Sequence, residues 1–206
     1  MPINNNSDLG VLNGYNQGTQ YSKMHGPSEN FGIFNGQFEQ GPIGQDENEP
    51  PEGWIFLVGV DSGAQIFRAT GGYAGNWCVC GGNSQATVRG STLEAQKYLP
   101  VSTAENYYAQ LAAHSDAGGL GRLTWRLRCY DANKAELASV TLHNAAPAAG
   151  WTLYWYLVGS MGTALTAGTY YVRVAIDLQS DATKSNAWVW VDDVKFQQTQ
   201  HWLWPQ

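Results

Sequence analysis

The clearest alternation of apolar and polar residues lies late in the chain, in residues 165–196. Val172, Val174 and Ile176 take every second position there, and Arg173 and Asp177 are among the residues that alternate with them. A period of two is typical of a β-strand with one buried face. A polar segment at 179–186 separates this run from a second β-rich run at 187–196, and two long strands joined by such a loop indicate an antiparallel β architecture.

Earlier parts of the chain repeat this pattern. Further strands are predicted at residues 64–69, 77–79, 85–98, 123–130, 137–142 and 151–158. The segment 102–116 is ambiguous, because Ser102 and Glu105 fit a helix-capping box while Tyr107 and Leu111 share one face in a period of two. Strand is favoured, since strands are predicted on both sides. The total is roughly nine to eleven strands, enough for two packed sheets.

Composition narrows the class of protein. The chain has 206 residues with 24 glycines and 9 tryptophans, but only 14% are charged, which suits a turn-rich, aromatic all-β domain. The formal charge of −6 and the scattered Lys and Arg residues argue against binding nucleic acid or an anionic membrane. No apolar run reaches the roughly 18–20 residues that span a bilayer. Cys78, Cys80 and Cys129 are predicted to be buried free thiols.

The two ends of the chain differ from its middle. Residues 1–30 are rich in Asn, Gly, Ser and Gln, show no sustained period, and have no basic and apolar signal-peptide pattern. We therefore expect an extended N-terminal arm at 1–30, a folded domain at 31–197 and a short aromatic tail at 198–206. The apolar residues expected to anchor the arm and tail on a partner, or on the chain's own domain, are Leu9, Leu12, Tyr15, Tyr21, Trp202 and Trp204.

Several motifs of the middle segment follow one another in a distinctive order. They are Asn35-x-x-Phe38-Glu39-x-Gly41 with Gly53-Trp54, Tyr98-Leu99-Pro100-Val101 with Tyr107-Tyr108, Tyr130-Asp131-Ala132-Asn133, Trp151-Thr152, Gly168-Thr169-Tyr170-Tyr171-Val172-Arg173-Val174 and Trp190-Val191-Asp192-Asp193-Val194. This order resembles the jelly-roll carbohydrate-binding modules of families 4, 9 and 22. The resemblance implies an all-β jelly-roll sandwich of two antiparallel sheets. The same fold is similar to accessory domains of tailed-phage virions.

The resemblance also implies a structural calcium ion. Glu39, near the start of the domain, and Asp192 and Asp193, on its last strand, resemble the family's ligands. Calcium takes hard oxygen ligands and would tie together two strands that are far apart in the chain. The alternative is that Asp192 faces solvent and Asp193 accepts backbone N–H groups.

Aromatic residues carry the hypothesis of sugar binding, because the flat faces of Trp and Tyr stack on the C–H face of a pyranose ring. The favoured carbohydrate-binding residues are Tyr73, Trp77, Trp125, Trp155 and Trp188, and Tyr154, Tyr156 and Trp190 are further candidates. Each of these side chains could instead fill the core of the sandwich. An exposed aromatic groove could also serve to dock a protein.

Two functions remain open at this point. The first is a non-catalytic virion structural protein, such as a capsid decoration, tail or fibre component, which is made in the host cytoplasm and anchored to neighbouring subunits by its arm. The alternative is a free-standing carbohydrate-binding module that recognises β-glycans in the extracellular space. Glu39, Asp177 and the Asp192-Asp193 pair could in principle supply paired carboxylates for glycoside hydrolysis. An enzyme is nevertheless not expected, because the chain contains no G-x-S-x-G, H-E-x-x-H or phosphate-loop motif.

Overall fold

The alternating runs form eleven β-strands in a computed structural model of the chain, which describes residues 32–42, 49–58, 64–83, 90–116, 121–180 and 187–199. The strands are β1 (Trp54–Val58), β2 (Ala64–Thr70), β3 (Trp77–Asn83), β4 (Gly90–Ala95), β5 (Leu99–Pro100), β6 (Asn106–Ser115), β7 (Gly121–Tyr130), β8 (Glu136–Ala145), β9 (Thr152–Gly159), β10 (Tyr171–Ser180) and β11 (Ala187–Gln198). The predicted arm at 1–30 and all six anchor residues lie outside the described residues.

The strands form two antiparallel sheets. One sheet has six strands in the order β1-β4-β10-β7-β8, with β5 paired to β10, and the other has five in the order β2-β3-β11-β6-β9. The consecutive strands β10 and β11 therefore lie in different sheets, which face each other. This arrangement confirms the all-β jelly-roll sandwich.

The core lies between the sheets and is built by the alternation seen in the sequence. Val172, Val174 and Ile176 of β10 are fully buried and pack with Leu111 of β6 and Val191 of β11 in one apolar cluster. Removal of this apolar surface from water is the main stabilising contribution to such a fold.

The ambiguous segment 102–116 is a strand for most of its length, as predicted. Ser102 starts a tight turn instead of a helix: its carbonyl oxygen accepts a hydrogen bond from the amide of Glu105, 3.2 Å away. From Asn106 the chain is extended, with Tyr107 and Leu111 buried on the core side. Pairing with β11 on one side and β9 on the other keeps the segment extended despite its alanine content.

The outer surface of the six-stranded sheet is held by ion pairs. Glu94 of β4 is 2% exposed and lies 2.9 Å from Arg173 and 3.2 Å from Arg128. Asp177 of β10 pairs with Arg126 at 2.6 Å. Because opposite charges on this face lie on neighbouring strands, the ion pairs stabilise the pairing of those strands.

The loop at residues 32–42 closes one end of the sandwich. Phe38 is fully buried and packs against Trp54, with ring centroids 5.2 Å apart. The amide of Val194 donates to the carbonyl oxygen of Gly36 at 2.8 Å, which fixes the loop to β11.

All three cysteines are buried free thiols, as predicted. No helix in the described part of the chain is long and apolar enough to cross a membrane.

Candidate functional site

The outer face of the five-stranded sheet is the candidate site. On β6 the residues Tyr107, Ala109 and Leu111 point into the core, so Tyr108 and Gln110 point outward. The same alternation places the following side chains on the outer face: Phe67, Tyr108, Gln110, His114, Leu153, Trp155, Trp188, Trp190 and Lys195. We call this surface the aromatic face.

Trp155 is the most exposed large aromatic residue on this face. Its side chain is 62% exposed, although burying a tryptophan is strongly favourable. The ring lies close to parallel with that of Tyr108, with centroids 6.4 Å apart and an angle of 24° between the planes. The two rings form a flat apolar surface open to solvent, which we call the Trp155 platform.

Polar groups border the Trp155 platform in a connected network. The Tyr108 hydroxyl donates to Gln110 Oε1 at 2.7 Å, and Gln110 Nε2 donates to Asp193 Oδ2 at 2.6 Å. Lys195 Nζ donates to the same oxygen at 2.8 Å, while Gln37 Nε2 donates to Asp193 Oδ1 at 3.2 Å. Burial, reinforced by the charge of Asp193, raises the pKa of Tyr108, so its hydroxyl stays a donor. The network fixes these side chains before any ligand arrives.

A second aromatic group lies towards the other end of the same face. The ring of His114 stacks on Trp190 with centroids 4.5 Å apart and an interplanar angle of 1°. The ring centroid of Trp151, next to β9, lies 4.5 Å from that of His114 in an edge-to-face arrangement, and 6.0 Å from that of Tyr73. Trp151 and Trp155 lie on the same side of β9 and are four residues apart, a separation of about 13 Å along a strand.

A β-bulge in β11 sets the position of the two aspartates. Pairing between β11 and β6 shifts between Asp192 and Lys195, and Asp193 has a φ of 47°, in the left-handed region. The bulge aims Asp193 at Gln110 and Lys195, whereas Asp192 lies under the loop that joins β2 and β3. Bulges of this kind commonly re-aim side chains near functional sites.

Asp192 is hydrogen-bonded to the loop that joins β2 and β3. Its Oδ2 accepts the amide of Ala74 at 2.8 Å, and its Oδ1 accepts the amide of Asp193 at 2.6 Å. Burial raises the pKa of Asp192 from an ordinary 3.8 to about 6, although the backbone donors oppose the change. Tyr73, which is 46% exposed, lies in this loop, so Asp192 helps to place one edge of the aromatic face.

The five favoured aromatic residues have different positions. Trp155, Trp188 and Tyr73 lie on or beside the aromatic face, where Trp188 meets the ring of Phe67 edge-on at 5.9 Å. The other two lie elsewhere, and for Trp125 the prediction was wrong. Trp125 is fully buried in the core, so it cannot reach a sugar. Trp77 lies on the core side of β3, like Val79, and one face of its ring is covered by Arg68 at 4.1 Å.

The three carboxylates expected to bind calcium all accept hydrogen bonds from protein groups. Glu39 Oε1 accepts the amides of Asn76 and Trp77 at 2.8 and 3.0 Å. Both oxygens of Asp192 accept backbone amides, and Asp193 accepts an ammonium and two side-chain amides. No group of three or more His, Cys, Asp or Glu residues is placed to hold a metal ion within the described ranges. Calcium binding itself stays a prediction.

Sequence reasoning missed part of the site. The residues of the aromatic face and its border that were not among the favoured ones are Trp151, His114, Tyr108, Gln110 and Lys195. The alternation in β6 does predict the position of Tyr108. Because Tyr107 and Leu111 share the core face, Tyr108 must lie on the opposite face. The bulge that brings Asp193 to Gln110 leaves no comparable signal in the sequence.

Comparison with solved structures identifies the fold. A tailspike protein 4 enzymatically active domain of bacteriophage CBA120 matches 81% of this chain with a TM-score of 0.54 and 11% identity. The CBM22-1–GH10 modules of Clostridium thermocellum endo-1,4-β-D-xylanase 10B, complexed with xylohexaose, match 83% with a TM-score of 0.53 and 16% identity. The fold is that of the jelly-roll carbohydrate-binding modules.

The likeness covers only a part of those two proteins. This chain spans 21% of the tailspike chain and 29% of the xylanase chain. The Stig cyclase Fisc from Fischerella sp. TAU is matched over 96% of its length, with a TM-score of 0.52 and 13% identity. No protein-family model matches the sequence, and no curated protein matches it significantly. At such identities the likeness establishes the fold alone.

Proposed function

We propose that this protein binds a glycan on its aromatic face, without catalysis. The observation that carries the proposal is the Trp155 platform: a tryptophan that is 62% exposed, close to parallel with Tyr108, and bordered by ordered hydrogen-bonding groups. Pyranose rings offer an apolar C–H face and a rim of hydroxyl groups. A flat aromatic surface with polar groups at its border matches both properties.

An extended chain of sugars suits the site better than a single ring. Trp151 and Trp155 lie on one side of β9, about 13 Å apart, with the 39% exposed Leu153 between them. Lys195 Nζ uses one of its three donors on Asp193, which leaves donors for hydroxyl groups. Because Asp193 neutralises Lys195, the proposed ligand is a neutral glycan.

The comparisons support a β-glycan as the first ligand to test. One similar solved structure, which contains a CBM22-1 module, is described as complexed with xylohexaose. The matching tailspike domain is described as enzymatically active, but that description belongs to a chain of which this one spans 21%. Binding without catalysis is favoured here because Glu39, Asp177 and Asp193 are all engaged by protein donors.

Replacing Trp155 with alanine tests the proposal. Affinity for xylohexaose, measured by calorimetry, is expected to fall at least tenfold, which corresponds to about 1.4 kcal/mol. The matched control is Tyr170→Ala, which removes an aromatic side chain of 58% exposure outside the aromatic face. If the wild type binds no neutral glycan in a panel that includes xylan and β-glucan, or if Tyr170→Ala weakens binding equally, the proposal is wrong.

As a second function, we propose that the domain is carried on a virion, anchored by residues 1–30. The jelly-roll likeness to a phage tailspike domain supports this context. So do the spaced apolar residues Leu9, Leu12, Tyr15 and Tyr21 in an otherwise polar arm, which suit docking on neighbouring subunits. Deletion of residues 1–30 tests this second function through incorporation into particles.

A further inference from the structure

Arg68 is the most enclosed cation in the described part of the chain. It lies near the end of β2 and is 3% exposed, although arginine is rarely buried without a partner. Its side chain points to the core side of the sheet, where it meets the loop at residues 32–42.

Four backbone carbonyl oxygens surround the guanidinium group. Arg68 Nε donates to the oxygen of Phe38 at 2.7 Å, and Nη2 donates to that of Glu39 at 2.7 Å. Nη1 donates to the oxygens of Gly41 and Pro42 at 2.8 and 3.0 Å. These carbonyl groups come from one segment of five residues that bends around the cation.

Two other groups complete the enclosure. The ring of Trp77 lies 4.1 Å from the guanidinium carbon, which is a cation–π contact. Burial lowers the pKa of Arg68, and the negative charge of Glu39 opposes that change. Arginine keeps its proton in such surroundings because its ordinary pKa is so high.

Converging carbonyl oxygens are the ligands that a hard cation such as calcium takes in proteins. Without a positive charge at their centre, the oxygens would repel one another and lose hydrogen bonds to water. We propose that Arg68 is an internal cation that takes the place of a bound metal ion. It fastens residues 38–42 to the five-stranded sheet, so this end of the fold does not depend on calcium.

The charge of Arg68 also accounts for the contacts of Glu39, one of the residues expected to bind calcium. Because Arg68 supplies the positive charge, Glu39 is free to accept the amides of Asn76 and Trp77. That contact fixes the end of the loop that carries Tyr73. Arg68 is therefore a positioning residue for one edge of the aromatic face, and the inference stands even if no glycan binds there.

Thermal unfolding in calcium and in EGTA tests the inference. We expect the wild type to melt at the same temperature in both. Arg68→Ala is expected to lower the melting temperature by roughly 10 °C, the size that the loss of several charge-assisted hydrogen bonds produces in a chain of this length. Arg122→Ala is the matched control, because Arg122 is exposed on the other sheet, and it should change the melting temperature little.

Chemical rescue separates the lost cation from the lost volume. Millimolar ethylguanidinium should restore part of the stability of Arg68→Ala, whereas ethylammonium should restore less, because an ammonium group lacks the planar fork that reaches four oxygens. Arg68→Lys is expected to be intermediate, and it provides the comparison if Arg68→Ala fails to fold. Stabilisation of the wild type by calcium would overturn the inference. Equal melting temperatures for Arg68→Lys and the wild type would also overturn it.

Discussion

The buried carboxyl group of Asp192 should make the protein less stable as the pH rises, which is opposite to the usual effect of an aspartate. Its pKa is about 6 in the folded protein, against an ordinary 3.8. The folded state therefore binds more protons than the unfolded state between these values. By linkage, this group's contribution to stability is fully present below about pH 3.8 and is lost as the pH rises through 6.

The size of the effect follows from the two pKa values. A difference of about 2 corresponds to about 3 kcal/mol at 1.36 kcal/mol per pH unit. Asp192→Asn cannot titrate, so the wild type should gain about 2.4 kcal/mol, most of the full difference, relative to this variant between pH 7.5 and pH 4. Taking the difference between the two proteins cancels the titration of all other groups.

Urea unfolding across that pH range measures the difference directly. Asp192→Ala is the second variant, because it also cannot titrate but removes the acceptor for the amide of Ala74. The two variants should differ in absolute stability and share the same pH dependence relative to the wild type. The carboxyl carbon shift of Asp192, followed by NMR, should have its midpoint near pH 6. Parallel profiles for the wild type and Asp192→Asn would refute the reasoning, because they would mean that the backbone donors fully offset burial.

Two further predictions concern stability and assembly. Glu94→Gln should lower the free energy of unfolding by about 3 kcal/mol in urea, because it leaves Arg128 and Arg173 without their shared, buried carboxylate; a loss no larger than that of an exposed control such as Glu136→Gln would contradict this. Deleting residues 1–30 should leave the melting temperature almost unchanged and abolish incorporation into the particle, as measured by occupancy on purified particles; full occupancy of the truncated protein would exclude the arm as the anchor.

Much of the fold could be predicted because alternation reports burial directly. In β10 the apolar residues Val172, Val174 and Ile176 all face the core, as their spacing requires. The same rule shows why Trp125 was wrongly placed at the sugar site. It shares its parity with Leu123 and Leu127, and both of these are fully buried. The position of a residue in the alternation of its strand predicted its burial better than its residue type did.

Other parts of the site depend on contacts that the sequence does not encode locally. In β9, aromatic side chains occupy both faces, so alternation alone cannot decide whether Tyr154 or Trp155 points outward. The partner of Trp77 is Arg68, which lies on the neighbouring strand. The segment that surrounds Arg68 lies 26 to 30 residues away in the chain. Such pairings arise only when the strands are in register, and no motif in the sequence marks them.

The buried thiols described above have a practical consequence for work with this protein. Burial, followed by the charge of Asp192, raises the pKa of Cys78 to about 12, and burial raises that of Cys80 further. Because the thiolate is the reactive form, these residues are poor targets for maleimide reagents at neutral pH. Cys129 is fully buried as well. A fluorophore or spin label can therefore be attached to a single introduced surface cysteine, with the native cysteines left in place.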